Sequence, residues 1–232
     1  MKAVIVADVI SSTSLPVEQL IALQEELKRY VDENKKRLKE DNHVFWGRVV
    51  RGDTLECYMD HAHYALRLVL LLKLRMMQYA TLQIGGYDKK ANQKLMKSAI
   101  RVALGVGKMR VVDFEKGILD GEAVYLAGRE LDGQHSSGKE KVSLKRTLFY
   151  AESNSHKSRS LSLLLECVDV LLRKATDNQR LVIYNKLLGK KEAEIASQLK
   201  KSIPAINERS VSAGWNVISN IVNYYEKELY PL

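Results

Sequence analysis

The spacing of apolar residues predicts alternating strands and helices over the first 152 residues. An apolar run from Ala3 to Ala7, bounded by polar residues, is too short to span a membrane and predicts a buried strand. Leucine and valine at helical spacing predict a helix over 16–39. β-branched and aromatic residues on both sides of Gly52 predict a hairpin. The remaining predicted elements are helices over 61–83 and 122–131, strands over 100–106 and 148–151, and a hairpin around Gly117.

The predicted order is strand, helix, strand, strand, helix, strand, helix, strand. Two helices packed on one face of a mainly antiparallel sheet form the α+β, ferredoxin-like arrangement. The sequence therefore predicts a ferredoxin-like domain with helices on one face of its sheet.

The pattern changes after Glu152, where no further strand is predicted. Residues 153–160 are polar and are interpreted as a linker. Beyond them, helical patterns cover 161–174, 177–188, 191–199 and 204–225. Gly189 is expected just past the end of one helix, and Ser202 with Pro204 is expected to start the last. The predicted domains are therefore 1–152 and an all-helical 161–232.

The charge and the cysteine content limit the cellular compartment and the kinds of binding partner that the sequence predicts. The net charge of +9 makes nucleic acid a candidate partner, although solubility alone would also account for it. The two cysteines, Cys57 and Cys167, give no disulfide framework, which favours a reduced, cytoplasmic location. Asp8 interrupts the first apolar run too early for a secretory signal, and charged residues interrupt the apolar segment 65–77, so no membrane partner is expected.

Acidic and hydroxyl side chains converge where the first strand is predicted to end. Asp8 closes that strand, and Asp53 lies on the following hairpin. Two neighbouring carboxylates repel each other unless a cation lies between them, so the pair predicts a metal site for Mg²⁺. Phosphate contacts are predicted for the loop residues Ser11, Ser12, Thr13 and Ser14, and for Arg129 on the late helix. The alternative is that Asp8 is satisfied locally in a capped strand–helix turn, that Asp53 satisfies turn amides and that Arg129 pairs with Asp53 or Asp132.

The last helices have the spacing of a DNA-binding helix-turn-helix. A small residue, Ala196, lies where two helices would cross, and a short turn precedes a helix that starts at Ile203. Asn207 and Arg209 near the start of that helix would read adenine and guanine edges. Further DNA contacts are predicted for Ser202 and for the phosphate-binding residues Lys190, Lys191, Lys200 and Lys201. The alternative is a helical bundle for protein contact or dimerisation.

Residues 4–131 resemble the class III nucleotidyl cyclases. The resemblance rests on Asp8 to Thr13, on Gly52-Asp53, on the strand Arg101–Gly107 and on Arg129. It implies two metal ligands, Asp8 and Asp53, an Arg129 that steadies a transition state, and a site built between the two subunits of a homodimer. Departures are Tyr125 in place of an asparagine, and Val49 and Ile118 at the base-reading positions. They favour nucleotide binding without turnover.

The chain also resembles the SatD family. The shared motifs are the opening strand, Gly52–Glu56 and the helix Asp120-Gly121-Glu122-Ala123 to Arg129, with Gly128 inserted. The C-terminal part resembles the helix-turn-helix of sigma-factor region four and of LuxR-type regulators. Together these resemblances imply a DNA-binding transcriptional regulator that senses a nucleotide. The rival hypotheses are an active Mg²⁺-dependent nucleotidyl cyclase or phosphotransfer enzyme, and a catalytically inactive scaffold with a protein-binding helical tail.

Overall fold

A computed structural model of the chain describes residues 1–10, 12, 15–50, 52–84, 99–132 and 146–232. Its first half contains β1 (Lys2–Val9), α1 (Val17–Glu40), β2 (Phe45–Val50), β3 (Thr54–Met59), α2 (Ala65–Ile84), β4 (Ile100–Gly107), β5 (Met109–Asp113), β6 (Ile118–Gly121) and α3 (Glu122–Asp132). Then follow β7 (Leu148–Glu152), α4 (Ser155–Lys174), α5 (Asp177–Leu187), α6 (Glu192–Leu199), α7 (Ile203–Ser212), α8 (Trp215–Tyr224) and a π-helical turn (Tyr225–Leu229). The α+β class is thereby confirmed.

The main sheet has five strands in the order β2-β3-β1-β4-β7. Its pairs are antiparallel except for β7, which lies parallel to β4, so the sheet is mixed. β5 and β6 form a separate antiparallel ribbon. In the central strands Asp8 is opposite Thr54 of β3 on one side and Arg101 of β4 on the other. This register decides which side chains meet at the end of β1.

Helices cover both faces of the sheet, which corrects the expectation that they lie on one face. Alternate residues of β1 face opposite ways: Ile5 packs into the core with the residues of α1 and α2. Val4 packs on the other face against Ala123 and Ala127 of α3. Gly105 of β4 explains the close approach, because a Cβ there would lie 2.1 Å from the Ala123 carbonyl oxygen. The missing side chain lets α3 rest directly on the sheet.

The predicted linker 153–160 is largely helical, which is a second correction. α4 begins at Ser155, and the Asn154 side chain caps it by accepting a hydrogen bond from the Lys157 backbone N–H at 3.1 Å. Leu161 and Leu165 of this helix belong to the same buried cluster as the sheet. The polar sequence therefore forms the start of a packed helix. The division of the chain into two domains stays a prediction.

Two helices replace the single run predicted over 204–225. α7 and α8 are separated by Gly214, whose φ is +75°. A Cβ there would lie 3.0 Å from Leu171 of α4, so the break also lets α4 pack closely. The other local predictions are confirmed: Gly189 follows α5 with a φ of +84°, and the Ser202 side chain caps α7. Among the described residues, no helix has the length and apolar character of a membrane span.

Candidate functional site

Asp8 is paired with a buried arginine at the end of β1. Arg101, which is 6% exposed, donates from Nε to Asp8 Oδ1 at 2.9 Å and from Nη2 to Oδ2. A guanidinium presents two parallel donors that match a carboxylate, so this contact neutralises Asp8 from within the protein. The sequence motif had placed Arg101 only on a strand. No local pattern pairs Asp8 with Arg101, because their contact depends on the register of β1 with β4.

Asp53 lies in the turn directly before β3, next to Thr54, which is opposite Asp8. The backbone N–H of Val9 donates to the Asp53 carbonyl at 3.2 Å, and the Ser12 hydroxyl donates to Asp53 Oδ2. Gly52, with a φ of +86°, makes the turn that leads into Asp53. The structure thus brings Asp8, Ser12 and Asp53 to one end of the sheet. The other three predicted loop residues, Ser11, Thr13 and Ser14, lie outside the described residues.

The donor chemistry of this sheet end fits Mg²⁺. This ion commonly takes one or two carboxylates from the protein and completes its shell with water and phosphate oxygens. Asp8 and Asp53 would be those carboxylates, and within the described ranges no group of three or more His, Cys, Asp and Glu that could hold a metal occurs. Because both oxygens of Asp8 accept from Arg101, a cation held there would replace this guanidinium as the counter-ion of Asp8.

Arg129 lines a cavity that includes none of Asp8, Ser12 and Asp53. With Lys108, Arg110 and Tyr125 it lines a space of about 540 Å³ beside the C-terminal end of β4. Asp8 pairs with Arg101 near the other end of that strand. Within one chain, Arg129 is therefore not brought into the group formed by Asp8, Ser12 and Asp53.

Tyr125, which stands in place of the expected asparagine, forms a hydrogen bond with a residue five positions before it. Its hydroxyl donates to Asp120, which also accepts from Arg110 Nε. The Tyr125 hydrogen bond, assisted by Arg110, lowers the pKa of Asp120 below its usual value. The ionised form of Asp120 is therefore favoured beside the cavity that Arg129 lines.

The helices α5, α6 and α7 form a compact unit around their own small core. Val182, Ile195, Ala196 and Ile206 are buried together, with Leu199 at the edge. The turn between α6 and α7 passes through Lys200 in the left-handed conformation, with a φ of 51°. This conformation changes the chain direction within three residues, as the sequence predicted for this segment.

The predicted DNA contacts differ in exposure. The exposed residues are Lys191, Lys200, Lys201, Ser202 and Asn207, whereas Arg209 is partly buried. Lys190 is held inside the unit, because its Nζ donates to Asn185 Oδ1 at 2.9 Å and to Gln198 Oε1 at 2.8 Å. Lys190 therefore links α5 to the C-terminal end of α6.

Glu192 links three helices and was missed in the sequence. Its Oε1 accepts from Lys186 Nζ of α5 at 2.5 Å and from Asn207 Nδ2 of α7 at 3.4 Å. The hydrogen bond from Lys186 lowers the pKa of Glu192. Lys186 also lies 5.5 Å from the centre of the Trp215 ring. No local pattern reveals this group, since its members come from separate helices.

Comparison with protein-family models, curated proteins and solved structures gave no match to this chain. The resemblances to the SatD family, to the class III cyclases and to helix-turn-helix regulators therefore stay predictions from short motifs. What these residues do has to be argued from their geometry.

Proposed function

We propose that the protein is a DNA-binding transcriptional regulator in which α6, the turn Lys200–Ser202 and α7 form a helix-turn-helix. The observation that carries the proposal is the two-sided character of α7. Ile206 is fully buried against α5 and α6, while Asn207 and Glu208 on the same helix are exposed. The exposed Lys200 and Lys201 precede its N-terminus.

The mode of binding follows from this arrangement. A helix supported on one side by two others is free to enter the major groove with its N-terminal half. Asn207 and Arg209 would contact base edges, while Lys191, Lys200 and Lys201 would contact phosphates on either side. Glu192 orients the Asn207 amide, and Ser202 fixes the first turn of the helix.

The test is the salt dependence of binding to a labelled random-sequence duplex. Replacing Lys200 and Lys201 together by alanine removes two phosphate contacts, so the slope of log K against log salt should fall by about 1.8. The matched control replaces Lys35 and Lys36, exposed on α1, and should leave the slope unchanged. Absence of duplex binding at low salt, or an equal effect from the control pair, would favour the scaffold with a protein-binding tail.

Arg209→Ala separates base reading from phosphate contact. On a duplex enriched by selection with the wild-type protein, the loss of a base contact should weaken binding by about 1–3 kcal/mol. On the random-sequence duplex the effect should be smaller. Equal losses on both duplexes would assign Arg209 to the phosphates instead.

We also propose that the sheet-bearing part is a ferredoxin-like, cyclase-like module that senses a Mg²⁺-bound nucleotide. The antiparallel order β2-β3-β1-β4, with α1 and α2 as connections, supports this fold. The adjacency of Asp8 and Asp53 supports the metal site. In a homodimer, the partner chain would supply the Arg129 that a single chain keeps elsewhere. Val49, Ile118 and Tyr125 depart from the cyclase pattern, so we expect binding without turnover.

Calorimetric titration with ATP, GTP, CTP and UTP, each with and without Mg²⁺, tests this second proposal. Binding should require Mg²⁺ and should be lost in Asp53→Asn, because the amide is a poorer ligand for a divalent cation. Asp113→Asn, on the β5–β6 hairpin, is the matched control. If no nucleotide binds, both the sensor and the cyclase hypotheses fail, whereas a cyclic product in the same samples would restore the enzyme hypothesis.

A further inference from the structure

Three partly buried histidines lie together at the loop that joins β3 to α2. His61 and His63 belong to this loop, and His43 comes just before β2. The ring centre of His61 lies 6.2 Å from that of His43 and 6.4 Å from that of His63. The Ala62 N–H donates to the Met1 carbonyl at 3.0 Å, which fixes the loop beside β1. Because the three rings differ in their hydrogen bonds, they respond differently to a proton.

His61 accepts a hydrogen bond that only its neutral ring can accept. Its Nδ1 atom lies 3.2 Å from the backbone nitrogen of His63, whose N–H donates to it. A neutral imidazole has one nitrogen without a proton, and this hydrogen bond assigns that role to Nδ1. Protonation places an N–H at Nδ1, opposite the backbone N–H of His63. Two donors then face each other, so the turn 61–63 loses its hydrogen bond when His61 is charged.

The other two histidines keep their contacts when they are protonated. The His63 Nδ1 atom lies 2.8 Å from the Tyr230 carbonyl oxygen. A carbonyl oxygen only accepts, so His63 donates to it whether the ring is neutral or charged. The His43 Nδ1 atom lies 4.0 Å from Asp60 Oδ1, and a positive charge on the ring would strengthen this pair. His61 is therefore the one histidine of the three whose charge conflicts with its own hydrogen bond.

The surroundings of His61 also disfavour its charged form. Burial lowers the pKa of His61 most, and three neighbouring bases lower it further: the amino group of Met1, His63 and His43. Asp60 acts in the opposite direction. The pKa of the closed turn thus lies below the usual histidine value of about 6.5. An opened turn binds the proton more readily than the closed one, so opening becomes easier as the pH falls below that value.

Tyr230 connects this turn to the C-terminal helices, because it directly follows the π-helical turn. Its carbonyl accepts from His63, and its hydroxyl donates to Glu152 of β7. His61, Glu152, Lys157 and Tyr230 line a cavity of about 390 Å³, which gives the turn space to open into. The Glu152 carboxylate in this cavity is occupied by Tyr230, and Lys157 is a further cation. Neither of them stabilises a charged His61.

We propose that His61 is a pH-dependent switch, whose protonation opens the turn 61–63 and withdraws His63 from the Tyr230 carbonyl. Mild acidification then loosens the contact between the β3–α2 loop and the segment that follows α8. The hydrogen bond of the Ala62 N–H does not depend on a titrating group, so the change is confined to the tip of the loop. The switch uses neither the proposed metal site nor DNA, and it is independent of both proposed functions.

NMR spectroscopy of the full chain between about pH 8 and about pH 5 tests the switch. At the higher pH the His61 ring should carry its proton on Nε2 and none on Nδ1. As the pH falls, the His61 ring and the Tyr230 carbonyl carbon should change with one midpoint, below about 6.5. The protection of the His63 amide against hydrogen exchange should fall about tenfold with that midpoint, which corresponds to one lost hydrogen bond.

His61→Asn separates this switch from the titration of the other histidines. Asparagine offers an acceptor oxygen to the backbone N–H two residues further on, and it does not titrate. The protection of the His63 amide should therefore be equal at both ends of the pH range in this variant. His156→Asn, at an exposed position on α4, is the matched control and should keep the wild-type response.

Three results would overturn the inference: a proton on Nδ1 of His61 at the higher pH, a His63 amide whose protection does not change with pH in the wild type, or the same loss of protection in His61→Asn. If His61→Asn does not fold, the ring tautomer and the shared midpoint of the wild-type protein still decide the question.

Discussion

At the scale of single residues, Lys73 shows how a charge is kept inside this fold. It is fully buried on α2, and its Nζ donates to the Ile100 carbonyl at 2.7 Å and to Thr147 Oγ1 at 2.6 Å. Thr147 donates in turn from Oγ1 to Asp169 Oδ1 at 2.7 Å. The network joins α2, the end of the sheet and α4. Desolvation lowers the pKa of Lys73 to about 7, although Asp169 opposes this shift.

This lowered pKa predicts that stability rises with pH above neutrality. Between about 7 and 10.5, Lys73 binds a proton in the unfolded chain but is increasingly neutral in the folded one. The unfolded state then holds more protons, so the free energy of unfolding should increase by up to about 3 kcal/mol between about pH 7 and pH 9.5. Urea denaturation at both values measures it. Lys73→Met should lack this increase, and an identical pH dependence in both proteins would contradict the assignment.

The sequence predicted that Asp8 and Asp53 lie near each other, since one ends the first strand and the other lies on the following hairpin, and the structure places Asp8 opposite Thr54, the residue after Asp53. The Arg101 pair and the network around Lys73 were not predicted. Both join residues that are far apart along the chain, and no local spacing reports such contacts. The role of Asp8 and Asp53 as metal ligands stays a prediction.

At the scale of elements, the contact between α3 and β4 decides how the second face of the sheet is covered. Gly105 and Gly107 have no side chains where α3 crosses, and a Cβ on Gly105 would also lie 2.8 Å from the Ala127 backbone nitrogen. These are backbone atoms of a packed helix, which move only if the whole helix moves. The glycines therefore fix how closely α3 approaches the sheet.

Gly105→Ala and Gly128→Ala should have opposite effects on stability. The first forces α3 away from β4 and should lower the free energy of unfolding by about 1–3 kcal/mol. The second places a methyl group on α3 where no atom lies within 4 Å, and should raise it by about 0.5–1 kcal/mol through helix propensity. Denaturant unfolding of both variants is the measurement. Equal tolerance of the two substitutions would show that α3 is not held by this contact.

At the scale of the whole molecule, buried contacts join the sheet-bearing part to the C-terminal helices. One apolar cluster runs from Ile5 through Leu165 to Ile218. Arg67 of α2 donates from Nε and Nη2 to the two carboxylate oxygens of Glu226 at 2.7 Å each, and from Nη1 to the Leu187 carbonyl at 2.9 Å. The Glu226 side chain is 7% exposed. A ligand that displaces α2 would therefore also act on the helices that carry the proposed DNA-binding surface.

The sequence by itself determined the α+β class, the glycine that ends α5 and the Ser202 cap of α7, because these depend on local periodicity and turn chemistry. Only the tertiary structure decided the side of the sheet on which α3 lies, the parallel pairing of β7 and the helical start at Ser155. These features depend on which distant surfaces bury each other. Residues 153–160 were misread as a linker for this reason: their polarity is local, whereas residues 155–160 form the exposed first turns of a helix whose buried side chains begin at Leu161.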